Sequence, residues 1–320
     1  MKVLKKTIMK HVLGILTFMM FATSSIYARE RFVNYSLPSS VDTLRILAVG
    51  NSFSDDGTEY LPDLLEAAGI HNVIIARLYI GGCSLEQHCL EYKNDTRDYV
   101  YSKSTQNQWV KAREKVSLRH ALHDEKWDIV TIQETSGLSG IYDSYEKWIP
   151  TLLEIIRREV RNPKASIVWH ETWAYAVNSD HGKFPLYNRN QQTMYSGIVD
   201  CVKRASSEFN LPIVIPSGDA IQIARGTRLN NRGEVSENNK VYDLTRDGYH
   251  LNRQYGRYIA ACTWFEVLIR PIFGVSVLAN TYHLRNTEFS LDAQAAALCQ
   301  ECAVKAVEGW NAVTMVPEGR

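Results

Sequence analysis

The chain lacks the two glycine-rich phosphate cradles, Gly-x-x-x-x-Gly-Lys-Ser/Thr and Gly-x-Gly-x-x-Gly, so the usual signals for nucleotide or dinucleotide binding are missing. Cysteine is sparse: 6 in 320 residues are too few to staple a chain of this length as a disulfide scaffold. No basic run marks a surface for nucleic acid or anionic membrane. No repeat, low-complexity tract or Pro/Gly/Ser linker divides residues 40–310. Beyond the N-terminus, no apolar stretch is long enough to span a bilayer.

The N-terminus does carry a pattern. Lys2, Lys5, Lys6 and Lys10 form a basic region without an acid, and an apolar run over 11–22 follows. Small polar residues then lead to Ala28, as in a cleaved export signal. A membrane anchor needs about 20 apolar residues, and this run is shorter. No cysteine stands near the cleavage point, which disfavours a lipoprotein route. The expectation is a signal peptide over 1–28 and one domain over 29–320, periplasmic or secreted. Without the leader's four lysines, the 36 basic residues become 32 against 35 acidic ones, a mildly acidic body.

Short β-branched runs at 44–49, 73–79, 127–132, 166–169 and 212–215 read as parallel strands covered on both faces. Amphipathic patterns near 58–68, 107–123, 144–161, 190–209, 252–270 and 290–308 read as helices. Their alternation predicts a three-layer α/β/α sandwich around a mainly parallel sheet of about five strands. In such a sheet ligands bind beyond the carboxyl ends of the strands. Cys201 and Cys262 fall in helical patterns as small core residues, and Cys299-x-x-Cys302 lies inside the last one, away from a strand end. Cys83 and Cys89 are left open between thiols and a disulfide.

Three motifs fall on strand ends or helix starts. Gly50-Asn51-Ser52-Phe53 follows the first strand and puts a serine at the sheet rim; alone it also reads as an ordinary turn, with Asp55 or Asp56 capping the next helix. Gly81-Gly82 follows the second strand, where a glycine N–H can approach a substrate oxygen. Asp247-Gly-Tyr-His250 precedes a long helix. An acid three residues before a histidine can take the Nδ1 proton while Nε2 faces a nucleophile, and the same letters also serve as a capping box. His170 and Trp173 at the end of the fourth strand are candidates for the pocket wall. His120-x-x-His123 has no third ligand at metal spacing and reads as a solvated helix end, and His88 reads as a surface histidine.

The order of these blocks resembles the SGNH (GDSL-like) hydrolases over residues 44–270, and more closely their exported bacterial branch with a Gly-Asn-Ser-Phe first block, the DUF4886-like proteins. The resemblance implies a flavodoxin-like sheet and ester hydrolysis through an acyl-enzyme. It implies Ser52 as nucleophile, His250 as base, Asp247 as its orienting acid, and the Ser52 and Gly82 N–H groups in the oxyanion hole. Two blocks depart from the pattern. Asn51 replaces an aspartate, and the third block, usually Gly-x-Asn-Asp, is here Ile132-Gln133-Glu134-Thr135. Gln133 carries the missing amide on a longer arm and takes the third donor role by analogy. Asn51 and Glu134 are further pocket candidates.

The resulting expectation is a serine esterase without cofactor or metal, acting on a small-molecule or glycan ester, with an O-acylated carbohydrate foremost. A lipase or lysophospholipase would use the same residues, but no apolar lid segment is present. A catalytically idle glycan-binding protein would need a ruined oxyanion hole. A thiol-redox role for Cys299 and Cys302 is the remaining alternative.

Overall fold

The β-branched runs become strands where both faces can be covered by helices. The structure, a computed structural model, describes residues 36–110, 113–230, 240–284 and 289–314, and the expected leader lies outside them. β1 (Leu44–Gly50) leads to α1 (Ser52–Thr58) and α2 (Leu61–Ala67), then β2 (Val73–Tyr79) and α3 (Leu85–Lys93). β3 (Tyr99–Thr105), β4 (Gln108–Trp109) and β5 (Arg113–Val116) precede α4 (Leu118–Asp124) and β6 (Ile129–Ile132). α5 (Tyr142–Glu159), β7 (Ser166–Glu171), α6 (Gln191–Glu208), β8 (Val214–Pro216) and α7 (Ser217–Arg225) follow. α8 (Tyr255–Leu268), α9 (Arg270–Phe273) and α10 (Ala293–Thr314) come last.

The sheet runs β4-β3-β2-β1-β6-β7-β8, with β5 also paired to β3. β2, β1, β6, β7 and β8 are mutually parallel, which matches the five expected strands. The count of about five is nevertheless too low, because the described sheet has eight strands. The additions, β3 to β5, are antiparallel. The helix expected over 107–123 forms only over Leu118–Asp124. Upstream of it, Gln106 and Asn107 take the left-handed φ values of 51° and 55°, and the chain turns back as a hairpin instead. Tyr99 and Tyr101 point into the core while Val100 and Ser102 do not, the period of two that a strand needs.

One helical layer contains α1, α2, α7 and α10 packed around α8; the other contains α3, α4, α5 and α6. α5 buries Tyr145, Ile149, Leu152, Ile156 and Glu159 along one stripe. α8 is buried all round from Tyr258 to Leu268, because helices enclose it as well as the sheet. Counting only parallel strands, the order is 2-1-3-4-5. Its direction reverses beside β1, so the crevice that topology opens lies at the carboxyl ends of β1, β2 and β6.

Candidate active site

At the end of β1, Asn51 adopts an extended conformation and caps α1, its Oδ1 accepting from the Phe53 N–H at 3.0 Å. The cap is therefore Asn51 rather than Asp55 or Asp56. Ser52 is the first helical residue and stands half-buried on the cleft. Its Oγ lies 2.8 Å from His250 Nε2, and His250 Nδ1 lies 2.6 Å from Asp247 Oδ2. With Nδ1–H donating to the carboxylate, Nε2 keeps a lone pair for the Ser52 hydroxyl proton. Burial raises the Asp247 carboxyl, but hydrogen bonds from the His250 ring and from the backbone outweigh it. The carboxyl ends below its ordinary value and stays ionised near neutrality.

The loop bearing this pair is fixed from several sides. Asp247 Oδ1 accepts from the N–H groups of Tyr249 and His250, at 3.1 and 2.8 Å, which aims Oδ2 at the imidazole. Gly248, between them, has φ +94° and packs on Ser179, where a Cβ would sit 3.0 Å from the hydroxyl. The Trp173 indole donates to the Tyr249 carbonyl at 2.7 Å, and the Ala176 N–H to the Gly248 carbonyl at 2.8 Å. Buried Asp56 of α1 accepts from the Leu251 N–H at 2.9 Å and holds Arg246 at 3.1 Å and Arg257 at 2.7 Å. The helix that starts with Ser52 thus also grips the loop that carries His250.

The cleft has a volume of about 480 Å³. Gly82, at φ +65°, also lines it, in a conformation that glycine adopts without strain. Among the described residues no acceptor takes the Ser52 or Gly82 N–H, so both are free for a developing oxyanion. Asn51 is among the residues that line the cleft.

Four other expectations need correcting. Gln133 is 1% exposed and lies behind Asn51: its Nε2 donates to Asn51 Oδ1 at 2.9 Å, and its Oε1 accepts from Ser54 Oγ at 2.8 Å. It is a support beneath the nucleophile turn and does not line the cleft. His170 is buried one layer deeper, its Nδ1–H donating to Gln133 Oε1 at 2.7 Å and its Nε2 accepting from Ser217 Oγ at 3.1 Å. Burial pushes this histidine down to about 3, so it stays neutral. Trp173 is fully buried and stacks on Phe53 at 4.3 Å, bracing the turn rather than facing substrate. Glu134 is buried too: its Oε1 accepts from the Leu85 and Thr135 N–H groups at 3.1 and 2.6 Å, and burial raises its carboxyl.

Two more histidines and the cysteines also have clear places. His88 is buried against the Tyr99 hydroxyl at 2.9 Å rather than on the surface. His123 pairs with Glu159 at 2.9 Å. All six cysteines are buried free thiols, Cys83 and Cys89 included.

A family model described as a domain of unknown function, DUF4886, matches residues 45–306. The chain belongs to the DUF4886 family. A crystal structure of a DUF4886 family protein from Bacteroides uniformis is similar to it at 39% identity and TM-score 0.73, over 83% of this chain and 95% of that one. A protein of Slackia heliotrinireducens, proposed to be an SGNH hydrolase, aligns at 21% identity and TM-score 0.46, over 71% of this chain and 99% of that one. An acetylxylan esterase from Geobacillus stearothermophilus aligns at 13% identity and TM-score 0.44, over 72% and 96%. Those two alignments are too loose to bring an activity to this DUF4886 member. No curated protein matches it.

The structure adds residues to this DUF4886 site that sequence reading missed. Asp56 was visible only as a helix-capping candidate, because its partners lie 190 to 201 positions downstream. His181 and Lys183, on the loop between β7 and α6, line the cleft beside Tyr249 and His250. That loop has no periodicity, and the only available signal was its position after a strand of the sheet. Among the described residues, no group of His, Cys, Asp and Glu is arranged to hold a metal ion.

Proposed function

We propose that this DUF4886 member is an exported serine esterase that cleaves an O-acyl group from a carbohydrate through an acyl-Ser52 intermediate. The observation that carries it is the Asp247–His250–Ser52 line, with contacts of 2.6 and 2.8 Å, ending in a cleft beside the unengaged Gly82 N–H. Ser52 Oγ attacks the ester carbonyl as His250 Nε2 takes its proton, and Asp247 balances the imidazolium. The Ser52 and Gly82 N–H groups bind the oxyanion. Collapse expels the alcohol, protonated by His250, and water then hydrolyses the acyl-serine with His250 again as base.

The wall of the cleft supports a glycan over a long-chain lipid. Asn51, Ser84, Thr135, Ser136 and Lys183 are polar and stand with the aromatic Tyr79 and Tyr249 beside the apolar Phe53 and Leu138, a mixed lining that suits a sugar. The leader pattern over 1–28 supports export.

Acetate release from acetylated sugars and p-nitrophenyl esters, compared with Ser52→Ala, tests the reading. Ser52→Ala and His250→Ala should each lose roughly 10⁴-fold or more in kcat, and the double variant little further, because the two act as a unit. Losses that multiply would break the triad assignment. An inert wild type whose Ser52 also resists a fluorophosphonate label would leave a sugar-binding protein with an idle site.

A further inference from the structure

We propose that the alcohol half of the substrate is a sugar bearing a carboxylate, recognised by Lys183 on the His250 side of the cleft. The inference rests on the esterase reading and narrows its substrate class. In that reaction His250 protonates the leaving alcohol, so the alcohol must sit on the His250 side of Ser52 and the oxyanion on the Gly82 side.

The His250 side has a continuous wall. The Tyr249 ring lies 4.3 Å from the His250 ring, and the His181 ring 4.7 Å from that of Tyr249. His181 Nδ1 accepts from the Lys183 N–H at 3.1 Å, so the neutral ring carries its proton on Nε2. That proton faces the buried Tyr175 hydroxyl at 3.5 Å. Burial, and then the neighbouring His250, lower the His181 pKa and keep it uncharged.

Lys183 follows directly. Its stem lies on Gly137, where a Cβ would come within 2.7 Å of Lys183 Cγ, so residue 137 must be without a side chain for the lysine to sit there. Among the described residues no carboxylate pairs with the Lys183 ammonium, and no Asp or Glu lines the cleft. The wall therefore offers the Tyr249 ring and the Lys183 ammonium, beside an uncharged His181 on which the Asp247 and Asp180 carboxylates also act. A hexuronate presents the matching set: a ring face, hydroxyl groups and a carboxylate.

The test compares kcat/KM for an O-acetylated methyl glucuronide and the matching O-acetylated methyl glucoside. Wild type should prefer the uronate by about 10- to 100-fold, the range of one charge-assisted hydrogen bond. Lys183→Met should bring that ratio close to one, Lys183→Arg should keep most of it, and added salt should shrink it. If wild type cleaves the neutral ester through Ser52 at least as well, or if Lys183→Met keeps the preference, the carboxylate site is wrong and the esterase stands. If neither sugar is cleaved and the fluorophosphonate leaves Ser52 unlabelled, the esterase reading falls and this inference with it. A Lys183-dependent preference for a sulfated sugar over the uronate would overturn the carboxylate in favour of a sulfate ester.

Discussion

A single amide at position 51 joins the Ser52 turn to the neighbouring Gly82 turn. Asn51 Oδ1 accepts from the Phe53 N–H and from Gln133 Nε2, while its Nδ2 donates to the Cys83 carbonyl at 2.9 Å, one residue beyond Gly82. Backbone groups at two of these contacts leave the amide only one orientation. The two departures from the SGNH pattern, Asn51 and Gln133, thus touch each other and are explained together. Asn51→Asp, which restores the usual letter, would aim a carboxylate oxygen at the Cys83 carbonyl. It should cost about 1–3 kcal/mol of stability and lower kcat as the Gly82 turn shifts. A urea midpoint and kcat equal to wild type would refute this. At this scale Ser52, Asp247 and His250 were suggested by the order of the sequence blocks, since each motif alone also reads as a turn or a cap. Gln133, His170 and Trp173 were assigned to the wrong side of the wall, since a residue's place at a strand end does not tell which way its side chain turns.

Among the elements, α1 has two tasks, presenting Ser52 and holding the His250 loop through Asp56. Asp56→Asn would leave Arg246 and Arg257 facing a neutral amide. Breaking a buried ion pair costs about 3–5 kcal/mol, so both the denaturation midpoint and kcat should fall. A fall in only one of them would separate loop anchoring from catalysis. At the junction of β7 and α7, Glu171 is fully buried and its Oε1 accepts from the Asp219 N–H at 2.9 Å. Burial first, and then Asp219, raise the Glu171 pKa well above 4.5. The native state therefore holds a proton that the unfolded chain releases near its ordinary pKa. The stability this gives is complete below about pH 4.5 and is lost as pH rises toward the native value. Glu171→Gln keeps the shape of the protonated acid and removes that loss. Its stability relative to wild type should grow by about 1.4 kcal/mol per pH unit from about pH 5 upward; parallel urea-stability curves would rule it out. The five parallel strands were legible as uninterrupted apolar runs. β4 and β5 were not, because two positive-φ residues, Gln106 and Asn107, redirect a segment whose spacing also suits a helix.

At the scale of the whole molecule, the strand order settles where chemistry can happen. The reversal beside β1 opens one crevice, and the nucleophile turn, the Gly82 turn and the loop after β6 all end there. This much followed from the order of the sequence blocks. The cation on the far wall did not, because it comes from a loop that only the tertiary fold brings round. His250 lies 198 positions after Ser52, beyond every described strand of the sheet. A ribosome makes the chain from the N-terminal end, so the nucleophile turn emerges long before its base. Until the segment after α7 has been made and has closed over α1, the serine is an ordinary alcohol. In the proposed mechanism the order of synthesis thus withholds the chemistry from every unfinished chain.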